Sequence, residues 1–145
     1  MGLRDLMRGK RVYFDTNVFI YMIEGFAELR ATLLDIRDSI LHGEAEIVTS
    51  ELTICEALVA PFRSNNSAHV AGYRRFIEES GAFELRPTSR ETYVRASLYR
   101  AQMGLKTPDA IHVATALEAG CVVFVTNDKS IRAPAGLQIV QLTKI

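Results

Sequence analysis

The stretch Arg11 to Ile20, RVYFDTNVFI, limits the possible folds more than any other part of the chain. Val12, Tyr13 and Phe14 are a short β-favouring apolar run without polar alternation, the pattern of a strand covered on both faces in a parallel sheet. Asp15 ends it. Thr16 and Asn17 then supply short polar side chains for a turn or helix cap, and the apolar pattern resumes from Val18 to Ile23. The same design returns further on, where the apolar run Cys121 to Val125 is followed by Thr126, Asn127 and Asp128. Open α/β sheets bind ligands outside the carboxyl ends of their strands. Two strands that each deliver an acid at that edge predict a site there, although Asp15 is equally suited to capping the helix that follows.

The intervening chain alternates between helical and extended patterns. Phe26, Leu29, Leu33, Ile36 and Ile40 recur at helical spacing and predict an amphipathic helix over 26–41, stopped at Gly43. A short strand follows at Ile47 to Thr49, and Ser50 is placed to cap a helix that runs toward Ala60 and stops before Pro61. Residues 62–67 read as a loop, 68–79 as a helix, 83–86 as a third strand, and 92–103 as a long helix capped by Ser89. Leu137 to Leu142 is a final strand, and Met1 to Gly9 is an arm leading into the first.

The segment KTPDAIHVATALEAG, from Lys106 to Gly120, reads as a buried helix with Thr107 as its cap, Pro108 at the first helical position and Gly120 as its stop. Asp109 falls in the first turn, where a carboxylate complements the helix dipole, and where it also reaches the same sheet edge as Asp15. His112 lies one turn later on a similar face. It is placed either to approach substrate or to serve as a satisfied packing residue. Glu56, in SELTICEALVA, sits among apolar neighbours about two turns after a strand. Buried there it needs a partner or a metal, whereas on the exposed stripe it needs neither.

At 145 residues the chain is the size of one domain, and we expect a single domain over 1–145. No run approaches the ~18 apolar residues of a membrane span, and MGLRDLMRGKRV lacks the apolar core of a signal peptide, so a soluble, cytoplasmic protein with no membrane partner is expected. Cys55 and Cys121 lie in apolar stretches without CxxC spacing and read as buried small residues. The 17 basic and 17 acidic side chains cancel, which removes a global field for nucleic acid. Charge is nevertheless local: Arg86, Arg90, Arg95, Arg100 and Lys106 face only Glu91 between positions 86 and 106. Lys106, Arg100 and Arg132 are candidate phosphate contacts.

Taken together, FDTNVFIY around Asp15, ELTICEAL with Glu56, TPDAIHVATAL with Asp109 and VTND with Asp128 resemble the PIN-domain ribonucleases, and within them the VapC-type toxins of toxin-antitoxin modules. The four pieces stand in the family's order and span nearly the whole chain. The resemblance implies a three-layer α/β/α sandwich with a central, mainly parallel sheet of about five strands, and a cluster of acids that binds one or two Mg²⁺ or Mn²⁺ ions to cleave RNA. By motif position Asp15, Glu56 and Asp109 are its core acids and Asp128 a fourth, more variable one, with Asn17 and Thr126 in supporting polar positions. It also implies a homodimer neutralised by a small antitoxin protein.

The residue chemistry agrees. Hard oxygen ligands without a cysteine or histidine cluster suit Mg²⁺ or Mn²⁺ better than zinc, and such a site activates water and stabilises charge on a scissile phosphate. Crowded acids also raise one another's pKa when no metal is bound. Two other classes compete. A phospho-acceptor or phosphatase-type α/β domain also places an Asp at a strand end, but the phosphatase pattern wants a second Asp where Asn17 stands. A receiver wants an acidic pair that the region from Lys10 to Asp15 lacks. A non-catalytic module whose acids contact a basic partner is the other, and metal-dependent cleavage separates it from the nuclease.

Overall fold

The computed structural model describes residues 2–144; Met1, the first residue of the expected arm, lies outside them. The chain after it forms α1 (Leu3–Met7) and enters β1 (Arg11–Phe14), the middle strand of a five-stranded sheet. On one side of β1 lie β2 (Glu46–Ser50) and then β3 (Phe83–Arg86); on the other lie β4 (Val123–Thr126) and β5 (Gln138–Gln141). All pairings are parallel, so the sheet is wholly parallel rather than mainly so. Every strand therefore ends at the same edge.

Helices cover both faces, as the unbroken apolar run of β1 requires. Val12 and Phe14 pack with Ile47, Val123, Val125 and Val140 on one face, against α1, α2 (Thr16–Glu24), α3 (Arg30–Leu41) and α4 (Leu52–Ala57). Also on this side are α5 (Val59–Arg63) and α6 (Ser67–Arg74). Tyr13, Val48 and Phe124 point the other way, toward α7 (Arg90–Met103) and α8 (Thr107–Glu118). The result is the expected α/β/α sandwich. Among the described residues no helix is long and apolar enough to cross a membrane.

Several local expectations are corrected. The helix expected to stop before Pro61 is two helices, α4 and α5, and Pro61 is the third residue of α5. A first-turn proline costs no hydrogen bond because the N–H it lacks has no intrahelical acceptor. The loop thus shrinks to Ser64–Asn66. The helix over 26–41 starts as a 3₁₀ turn, Ala27–Leu29, and α6 runs into a π turn, Arg75–Glu79. Lys106, not Thr107, occupies the cap position of α8, with extended backbone and no side-chain cap bond, which moves Pro108 to the second helical position. Cys55 is exposed, on the outer side of α4, while Cys121 is buried as expected.

Candidate active site

The parallel sheet brings the end of β1 and the end of β4 side by side. Asp15 follows the one and Thr126, Asn127 and Asp128 complete the other. Asp15 is both helix cap and candidate site acid: its Oδ1 accepts the Thr16 N–H at 2.8 Å, and its Oδ2 accepts the Thr126 hydroxyl at 2.7 Å and the Asn17 amide at 3.3 Å. Only 6% of it is exposed. Asn17 and Thr126 also fix the β4 loop, since Asn17 Oδ1 accepts the Asn127 N–H and Thr126 Oγ1 accepts the Asp128 N–H, both at 3.0 Å. The Asp128 carboxylate in turn accepts the backbone N–H and hydroxyl of Ser130.

Glu56 arrives from α4, directly after β2. Its Oε1 accepts the Thr16 hydroxyl at 2.6 Å and lies 2.5 Å from His112 Nε2. Burial pushes the Glu56 carboxyl up, but the hydrogen bonds from His112 and the Thr16 hydroxyl outweigh it and hold the group below the usual carboxylate range. His112 is buried in α8, with Nε2 also 3.7 Å from Asp15 Oδ1 and Nδ1 2.5 Å from the Tyr13 hydroxyl. It therefore lies beneath the acids, almost wholly shielded from solvent.

Asp109, in the first turn of α8, is half-buried, and its carboxyl is raised above the ordinary value. Burial is the largest cause, followed by the negative charges of Asp128 and Asp15, with a smaller push from Glu56 and an opposing pull from His112. Asp109 thus senses the other three acids across one small region. The basic candidates stand differently. Lys106, Arg100 and Arg132 are exposed and unpaired with acids among the described residues, and Arg100 Nε donates to the Leu105 carbonyl in the turn before α8.

Among the described residues no three acid, histidine or cysteine side chains are gathered tightly enough to cage a metal as they stand. Both Asp15 oxygens and Glu56 Oε1 are engaged by protein groups. The donor set still fits a hard divalent cation: it is built of carboxylates, and beside burial the charges of Asp128, Asp15 and Glu56 raise the Asp109 carboxyl, negative charge that a cation would neutralise.

Two contributors were not singled out in the sequence. Thr16 donates to two different acids, through its backbone N–H to Asp15 and its hydroxyl to Glu56. A hydroxyl residue directly after a strand-end acid, at the first position of a helix, is the signal that pointed to it. Tyr13 is core, as its apolar setting implies, but its hydroxyl is spent on His112, which a strand pattern cannot reveal.

Away from the acids, Tyr21, Met22, Phe26, Leu33, Leu34 and Phe76 line an open apolar groove of about 480 Å³, with Arg30 and Arg37 at its margin. It lies along α2 and α3, where the apolar stretch after Val18 leads.

The family model for the PIN domain matches residues 12–137, most of the chain. No protein of curated function matches. Among solved structures, a toxin-antitoxin complex from Klebsiella pneumoniae contains a chain 24% identical, superposing with a TM-score of 0.63 over 90% of this chain and 97% of that one. VapBC2 from Rickettsia felis, bound to a promoter DNA fragment, gives 13% identity and a TM-score of 0.66 over 90% and 98%. FitAcB from Neisseria gonorrhoeae gives 18% identity and a TM-score of 0.64 over 92% and 99%. At these identities the likeness is one of fold.

Proposed function

The chain belongs to the PIN domain family, and from that premise we propose that it is a metal-dependent endoribonuclease, the toxin of a toxin-antitoxin pair. The observation that carries the reading is the meeting of Asp15, Glu56, Asp109 and Asp128 at the carboxyl edge of the sheet, close enough for the charges of three of them to add to burial in raising the Asp109 carboxyl. Asp15, Asp109, Glu56 and Asp128 would hold one or two Mg²⁺ or Mn²⁺ ions. A divalent cation bound there supplies Lewis-acid stabilisation of the charge that builds on a scissile phosphate and makes water a better nucleophile.

The chain's own residues do the rest. Thr16, Asn17 and Thr126 orient Asp15 through three hydrogen bonds, while Thr16 and His112 orient Glu56. Lys106, Arg100 and Arg132, exposed and free of acid partners among the described residues, bind the backbone phosphates of RNA. A small antitoxin lies in the apolar groove and presents a basic residue to the acids, and two copies of the chain form the active dimer. The protein acts in the cytoplasm, as a single domain over 1–145.

The test is incubation of purified, antitoxin-free protein with total cellular RNA, with Mg²⁺ or Mn²⁺ and with chelator, alongside Asp109→Asn. Discrete cuts that need metal and vanish in the variant support the reading, and their ends identify the RNA. A folded protein that cuts nothing under any of these conditions returns the site to a binding role.

A further inference from the structure

His112 is a fully buried histidine whose two ring nitrogens are both engaged, one by a phenol and one by a carboxylate, and the surrounding bonds fix which nitrogen carries hydrogen. Glu56 Oε1 already accepts the Thr16 hydroxyl at 2.6 Å, and His112 Nε2 lies 2.5 Å from the same oxygen, placed to donate to it. On the opposite side of the ring, Tyr13 Oη already accepts the Ser50 N–H at 3.2 Å. With that lone pair taken, the hydroxyl's own hydrogen points to His112 Nδ1, 2.5 Å away. Donors then run in one direction, from the Ser50 N–H to the Tyr13 hydroxyl, through the ring, to Glu56.

We propose that Tyr13 and His112 are positioning residues of the acid cluster: the Tyr13 hydroxyl locks His112 with hydrogen on Nε2, and the locked ring anchors Glu56 by Oε1 and leaves Oε2 as the oxygen available to a cation. Thr16 reinforces the anchor, since its hydroxyl donates to the same oxygen and lies 3.3 Å from Nε2. Among the described residues no hydrogen bond reaches Oε2. The ring has no other route of escape. Tyr13 is stacked on Phe124 with centroids 4.9 Å apart and meets His112 edge-on at 5.7 Å, so both rings are packed in place. What Glu56 is held ready for rests on the metal-dependent reading of the site; the state of the ring does not.

The lock is read from the ¹⁵N ring signals of the full chain, with the His112 signals assigned by their loss in His112→Gln. The expected spectrum has a pyridine-like Nδ1 and a pyrrole-like Nε2. Tyr13→Phe removes only the hydroxyl and keeps the stacked ring, so the fold should survive, as circular dichroism will report, while the His112 signals move toward an average of the two tautomers. In the same variant the Mn²⁺ midpoint, followed by the electron paramagnetic resonance of free Mn²⁺, should weaken roughly tenfold or more, the usual contribution of a group that orients a metal ligand. The KM for RNA at saturating metal should stay the same.

A hydrogen on Nδ1 in the wild type, or ring signals indifferent to Tyr13→Phe, overturns the lock. A Tyr13-dependent ring in a protein that binds no Mn²⁺ and cuts no RNA upholds the lock and overturns the metal-dependent reading instead. An unaltered Mn²⁺ midpoint in a variant whose ring has been released overturns the positioning role.

Discussion

The Thr126 hydroxyl donates to Asp15 Oδ2 at 2.7 Å, joining the ends of two adjacent strands across 111 residues of sequence. Both side chains are buried, and the same hydroxyl accepts the Asp128 N–H. Thr126→Val keeps the shape and removes the bond at both ends. The expected cost is about 1–3 kcal/mol, the penalty for leaving buried polar groups unpaired, measured by urea unfolding without metal. Thr126→Ser should recover most of it. A valine variant as stable as the wild type would show that the bond contributes nothing to the fold.

Asp109 gives a pH signature whose sign follows from its raised carboxyl. The folded protein binds this proton at a higher pH than the unfolded chain does. Stability is thus lost as pH rises from the ordinary carboxylate range through the raised value, and the loss persists above it. Asp109→Asn escapes that loss. In the absence of metal the variant should melt at a higher temperature than the wild type at neutral pH, with the gap closing as pH falls below the ordinary Asp range. The lowered carboxyl of Glu56 works in the opposite direction, but it is common to both proteins and drops out of the comparison.

Metal should reverse that order. Divalent cation at about 100 times its dissociation constant adds about 2.7 kcal/mol to a protein that binds it only when folded, and chelation removes it. Thermal melts with Mn²⁺ and with chelator should therefore show a larger gain for the wild type than for Asp109→Asn. Equal gains would remove Asp109 from the cation's ligands.

Phe19 tests the core that supports α2. It is fully buried and meets Phe14, Phe76 and Phe83, with the Phe83 centroid 4.7 Å away. Phe19→Ala should cost about 3–5 kcal/mol in denaturant unfolding, through lost burial and the cavity left behind. A cost under about 1 kcal/mol would mean that these rings collapse freely into the space.

The two thiols should separate cleanly. Cys55 is exposed, whereas burial pushes the Cys121 thiol up to about 12. A maleimide or aromatic disulfide reagent at mildly alkaline pH should modify one thiol in the native protein and the second only after denaturant is added. Native modification of both would show that the region around Cys121 opens readily.

Much of this was legible in the sequence, and the reasons are specific. Val12 to Phe14 and Cys121 to Val125 carried the central strands because a strand covered on both faces cannot alternate polar with apolar residues. The acids at their ends followed, since a parallel sheet has one carboxyl edge. Sequence periodicity did not show that Cys55 faces outward, because α4 is six residues long and completes fewer than two turns. Nor did Pro61 declare itself a first-turn proline, because nothing local marks the break at Leu58 that restarts the helix. The engagement of Tyr13 with His112 joins residues 99 apart, and only the stacking of β1 against α8 brings them together.

The strand order β3-β2-β1-β4-β5 also has a consequence in time. As the chain leaves a ribosome, β1 can pair with β2, and β2 with β3, while the other edge of β1 waits for β4, which is made only after α7 and α8. Asp15 meanwhile has neither Thr126 to hold it nor Asp109 and Asp128 beside it. A truncated or half-made chain thus carries Asp15 and Glu56, joined through Thr16, without the other two acids, and the four meet only once synthesis has passed Asp128.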